Sequence, residues 1–111
     1  GWVEKRSRFL KDWRRRWMVL TNTSLETYKS EQTSAETPTE RIPLDQATTV
    51  KSAEEEIKKD FAFKVDSRSR TFYFCANDTS EKESWIGAIG RAMVKPTVLR
   101  SKSEEDALNG M

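Results

Sequence analysis

Apolar and polar residues alternate with a period of two along much of the chain. FAFKVD at 61–66 puts Phe61, Phe63 and Val65 on one face, and TFYFCA at 71–76 does the same with Phe72, Phe74 and Ala76. Such alternation predicts strands with one buried face. With Ser67, Arg68 and Ser69 between them, the two runs predict a hairpin whose register is fixed by its apolar faces. Upstream, residues 1–6 read as a short strand and residues 7–12 as a loop. WRRRWMVLT at 13–21 reads as a strand rich in aromatic and β-branched side chains. A turn through Asn22 leads to a return strand, LETYK at 25–29, and residues 30–40 read as a long polar loop. Short strands follow at 41–44 and 47–50, Pro43 pushing the first toward a sheet edge or end. Residues 51–60 are charged and expected to be exposed.

Near the C-terminus the period lengthens. Trp85, Ile89, Ala92 and Met93 fall at i, i+4, i+7 and i+8, the stripe of an amphipathic helix. Ser80 and Glu83 have capping-box spacing, with Asp78 and Thr79 close by. Gly87 and Gly90 weaken the helix but suit close packing on a sheet. Pro96 predicts its end, leaving 96–111 as a polar tail behind a domain of residues 1–95. The expected fold is mainly β: about seven short antiparallel strands forming a small barrel or sandwich, with one C-terminal helix plugging an open end.

The chain of 111 residues has the length of a single domain. It contains no histidine and one cysteine, which removes the commonest general base and the usual zinc sites. No phosphate-binding loop or dinucleotide fingerprint occurs. No enzymatic activity, cofactor or metal is expected. Cys75 lies in an apolar run and reads as a plain strand residue rather than a reactive thiol. The triplets at Asn22 and Asn77 read as turn chemistry. No run of 18 apolar residues is present, so no spanning helix is expected. The start at Gly1, without methionine, reads as that of an excised fragment, and any lipid anchor would lie upstream. The absence of a visible signal peptide and the lone cysteine suggest a cytoplasmic setting.

A net charge of +2 conceals an asymmetry. Residues 1–20 hold seven basic and two acidic side chains, residues 21–60 five and nine, and residues 61–111 eight and seven. Such polarisation orients a protein toward a negative surface. Arg14 and Arg16, two apart on a strand, share a face, while Arg15 points the other way. Lys5 on the partner strand reaches the same side, so three cations converge where a phosphate group could sit. The competing reading is a solvated strand face. Phe9 and Leu10 stand between Arg8 and Lys11, an apolar tip ringed by cations that suits insertion among lipid headgroups. Phe9 folded back over the barrel is the alternative.

These residues carry a resemblance. GWVEKRSRFLKDWRRRWMVL resembles the first hairpin of pleckstrin homology (PH) domains, in which a Gly-aromatic-apolar strand with a basic residue is followed by Trp-basic-x-Arg-aromatic-x-Val-Leu. SEKESWIGAI resembles the closing helix of that family, with Trp85 at its nearly invariant tryptophan, and RIPLDQA resembles its fourth strand. The chain also resembles, more loosely, acylated PH proteins of apicomplexan parasites.

The PH resemblance implies a non-enzymatic module that binds anionic phospholipid headgroups, phosphoinositide or phosphatidic acid, in a basic pocket at the open end of the barrel. Lys5, Arg14 and Arg16 match the family's phosphoinositide motif. The last turn of such domains borders the ligand, which adds Arg68 and Arg70, and Lys11 joins them from the first loop. Members that bind highly phosphorylated inositides tightly place a tyrosine where this chain has Thr27, Tyr28 lying one residue on. A monophosphorylated inositide or phosphatidic acid is therefore the expected ligand class. The expected protein is a monomer, peripheral on a membrane surface. A protein-interaction module on the same fold is the alternative. Nucleic-acid binding is disfavoured, because the cations converge on one hairpin beside an acidic flank.

Overall fold

A computed structural model describes the backbone of residues 1–7 and 12–109 and the side chains of residues 1–7 and 12–94. Seven strands form one antiparallel sheet: β1 (Trp2–Arg6), β2 (Trp13–Leu20), β3 (Ser24–Tyr28), β4 (Glu40–Pro43), β5 (Ala47–Ser52), β6 (Ala62–Ser67) and β7 (Thr71–Cys75). Their order is β4-β3-β2-β1-β7-β6-β5, so β1 joins the N-terminal meander to the C-terminal one. A one-turn helix, α1 (Glu54–Ile57), links β5 to β6, and a long helix, α2 (Thr79–Asn109), packs on β5 and β6. This is the expected mainly β architecture with its C-terminal helix.

The core follows from the alternation. Phe63 pairs with Phe74 and Val65 with Phe72 across β6 and β7, and the first pair stacks with ring centroids 5.4 Å apart. Val3, Met18, Leu25 and Ile42 continue the same interior across β1 to β4, and Ile89 of α2 lies fully buried against it. Aliphatic and aromatic side chains of this size contribute about 1.5–3 kcal/mol each when fully buried. Trp85, Ile86 and Met93 pack beside Ile89 half-buried, so the helix stripe is centred on Ile89.

Several expectations fail locally. Phe61 precedes β6 rather than leading it, with φ at 64°, and packs half-buried against the core. The 51–60 stretch is not simply exposed: β5 runs to Ser52, Ala53 is buried, and α1 begins at Glu54. The helix cap lies two residues earlier than Ser80. Asp78 Oδ1 accepts the Glu81 N–H at 2.8 Å, and the Glu81 carboxylate reaches back to the Asn77 N–H at 3.2 Å. Asp78 and Glu81 have the same spacing as Ser80 and Glu83, and the acidic cap satisfies the first turn while complementing the positive end of its dipole. Helix α2 also runs through Pro96 instead of ending there. Proline forfeits one backbone hydrogen bond and crowds the carbonyl four residues back, at about 3 kcal/mol. The segment that follows carries Leu99, Arg100, Lys102, Glu104, Glu105, Ala107 and Leu108, residues of good helix propensity.

Candidate functional site: the cationic mouth of the first hairpin

In the β1–β2 register Val3 faces Arg16 and Lys5 faces Arg14. Directly opposed residues of an antiparallel pair share a face. One face therefore runs from the buried Val3 and Met18 to Lys5, Arg16 and Arg14 toward the loop. The apolar end closes the core, and the cationic end forms its mouth. The other face carries Trp2, Glu4, Arg6, Trp13, Arg15 and Trp17. There Arg15 lies 4.4 Å from the Trp2 ring centroid and Arg6 lies 5.3 Å from that of Tyr73. Arg15 thus faces away from the mouth, as strand alternation requires.

Lys5 is the most enclosed cation of the mouth, its side chain 13% exposed. Its Nζ lies 5.9 Å from the Phe72 ring centroid and 3.4 Å from Glu40 Oε1. Burial holds the ammonium below its ordinary pKa; Glu40 opposes that shift, and the nearby Arg70 and Arg16 reinforce it. Arg70 sits over the same ring at 4.1 Å, and its Nη1 lies 3.6 Å from the same Glu40 oxygen. Phe72 is thus a floor beneath two cations, one from β1 and one from the β6–β7 turn. Arg16 is half-buried and donates from Nη1 to the Arg15 carbonyl at 2.8 Å, while Arg14 is exposed.

The structure thus brings Lys5, Arg16 and Arg70 together, with Arg14 on the same face. Arg68 stands exposed in the β6–β7 turn, its backbone N–H donating to the Gln46 carbonyl at 3.0 Å. Lys11, Phe9 and Leu10 lie outside the described residues. Sequence reasoning missed Glu40. It comes to the mouth through β4, register-paired with Thr27 on β3, and no local pattern marks it. Thr27 itself is buried on the inner face, its hydroxyl 2.8 Å from that of Thr39. Tyr28 lies on the outer face, where its hydroxyl donates to Glu26 Oε1 at 2.5 Å. Among the described residues no cluster of potential metal ligands occurs.

This arrangement of seven strands, closing helix and cationic hairpin mouth belongs to a known family. The PH domain family model matches residues 1–94, and the chain is a member of the PH domain family. It is 38% identical to Pleckstrin homology domain-containing protein 1 of Arabidopsis thaliana, over 98% of this chain and 76% of that protein. Five further curated relatives are longer, and the chain spans between 4% and 34% of their lengths. The crystal structure of the carboxyl-terminal PH domain of pleckstrin superposes with a TM-score of 0.70 at 27% identity, covering 84% of this chain and 93% of that one. The Slm1 PH domain, solved in complex with D-myo-inositol-4-phosphate, gives a TM-score of 0.68 at 22% identity, over 83% and 93% of the two chains. The relatives described lend no support to the looser resemblance to apicomplexan proteins. PH domains are typically interaction modules without catalytic activity.

Proposed function

We propose that this domain attaches to membranes by binding anionic phospholipid headgroups at the cationic mouth. The single observation that carries the reading is the convergence of Lys5, Arg14, Arg16 and Arg70 at one end of the core, two of them seated on Phe72. Arginine offers a planar fork for phosphate oxygens, and Lys5 adds a point charge to the field of the mouth. The inositol phosphate bound to the Slm1 relative supports the ligand class. A monophosphorylated inositide or phosphatidic acid fits best, because Thr27 is engaged with Thr39 and Tyr28 faces away from the mouth. Lys11 and Arg68 flank the mouth in sequence, and Phe9 with Leu10 would insert beside the headgroup. The domain acts as a non-enzymatic monomer on the cytoplasmic surface of a membrane.

The test is sedimentation with phosphatidylcholine vesicles, plain or doped with a monophosphorylated inositide or phosphatidic acid. Doped vesicles should retain the domain, increasingly weakly as salt rises. Arg14→Ala with Arg16→Ala should abolish retention without changing the melting temperature. Retention unaffected by that pair would refute the site. Retention on neither doped vesicle would refute the ligand class, favouring a protein partner.

A further inference from the structure

We propose that Glu40 is a built-in counter-ion that limits the mouth to one phosphomonoester, and that its loss admits headgroups carrying two. The inference rests on the headgroup reading above and extends it to selectivity. One carboxylate oxygen of Glu40 lies 3.4 Å from Lys5 Nζ and 3.6 Å from Arg70 Nη1. Both distances are long for a direct hydrogen bond, so the oxygen sits between two cations without being locked to either. That is where a phosphate bridging Lys5 and Arg70 would place its own oxygens. Among the described residues neither Arg14 nor Arg16 has a carboxylate partner, so that side of the mouth remains available to a phosphate.

The position of Glu40 is fixed by its backbone. Thr39, immediately before it, donates its N–H to the Thr27 carbonyl at 2.7 Å and its hydroxyl to the same oxygen at 3.1 Å. Glu40 is then register-paired with Thr27, and Arg41 after it is held by Glu26 at 3.1 Å. The carboxylate can rotate, but its stem remains beside the mouth. A headgroup with one phosphomonoester can bind at Arg14 and Arg16 and leave Glu40 between Lys5 and Arg70. A second phosphate must either displace the carboxylate or lie against it. Like charges so placed repel, and the side chain is only 24% exposed, so water screens the repulsion incompletely. Placing a negative charge in a site for anions costs affinity but confers selectivity.

The alternative role is structural: Glu40 would only neutralise the desolvated Lys5. Glu40→Gln separates the two, because it keeps the shape and polar contacts while removing the charge. Vesicles doped with a monophosphorylated or a bisphosphorylated inositide are the probes, with the melting temperature measured alongside. The amide should tighten binding to the bisphosphorylated surface by about tenfold and to the monophosphorylated one by less than about threefold, the scale of one nearby surface charge. The difference should narrow as salt rises. Equal gains on both surfaces, or none on either, would overturn the inference. If the arginine pair proves dispensable for retention, the headgroup reading fails instead. Glu40→Asp is the second variant: charge retained on a shorter stem should keep the monophosphate preference, and behaviour matching Glu40→Gln would overturn the charge argument.

Discussion

Lys82 of α2 donates to Glu54 Oε1 of α1 at 2.6 Å, and the two elements are thereby joined across the edge of the sheet. The same ammonium lies 3.2 Å from Ser52 Oγ, and the lysine is 4% exposed. Glu54 also accepts the Phe61 N–H at 2.7 Å, so one carboxylate fastens the left-handed backbone at Phe61 to the helix. The bond from Lys82, and then that from Phe61, holds the Glu54 carboxyl below its ordinary pKa. Lys82→Met keeps the apolar stem but removes the charge, and should destabilise the domain by about 1–3 kcal/mol, the scale of a hydrogen bond between charged groups. Lys82→Ala should cost more, because stem packing is lost as well. Chemical denaturation of the three proteins checks the order.

Gly90 faces β5, where an added Cβ would lie 3.7 Å from Val50 Cγ1, an ordinary contact. Its backbone needs no special conformation, so the glycine only costs helix propensity. Gly90→Ala should therefore stabilise the domain by about 0.5–1 kcal/mol, read as a raised denaturation midpoint with an unchanged slope. A lowered midpoint would show that the helix must approach β5 more closely than this geometry implies.

The strands and the hairpin site were legible because strand alternation fixes faces. Once 61–66 and 71–76 are strands, Phe63, Val65, Phe72 and Phe74 must share the core, and they do. The same rule separates Arg14 and Arg16 from Arg15, and Thr27 from Tyr28. What stayed hidden depends on distant pairings. Glu40 reaches Lys5 only because β4 folds back on β3, and Glu54 meets Lys82 only after α2 docks. A four-residue helix such as α1 leaves no periodic signal. The helix start was misplaced because two identical cap spacings overlap, and the sequence does not rank Asp78 above Ser80.

Glu26 carries a pH prediction. Its carboxylate accepts from Ser24 Oγ at 2.6 Å, from the Tyr28 hydroxyl and from Arg41 Nε at 3.1 Å. The Ser24 bond, then the Tyr28 bond, holds its pKa below the ordinary value despite burial. A folded pKa below the unfolded one gives stability that is fully present above the unfolded value and lost as pH falls through the folded value. Thermal stability should thus decline on acidification below about pH 4–5, the ordinary carboxylate range. Glu26→Gln should be less stable than the parent at neutral pH, and the gap should close in acid. A gap that stayed constant down to strongly acidic pH would show that the carboxylate charge contributes nothing.

Cys75 offers an independent measure of how the sheet opens. It is 6% exposed on β7, register-paired with both Glu4 of β1 and Ala62 of β6, and its thiol donates to the Asp60 carbonyl at 3.0 Å. Burial raises the thiol above its ordinary pKa, which lowers the thiolate fraction that reacts with electrophiles. Labelling by a thiol reagent at neutral pH should accordingly be slow in the folded domain and follow opening of the sheet rather than the chemistry of an exposed cysteine. Lys82→Met, which loosens α2, should accelerate labelling in proportion to its loss of stability if Cys75 is released only by global unfolding. Rapid labelling of the parent protein, at the rate of a free thiol, would show that the β1–β7 junction opens locally, and that the two meanders separate more easily than the continuous sheet implies.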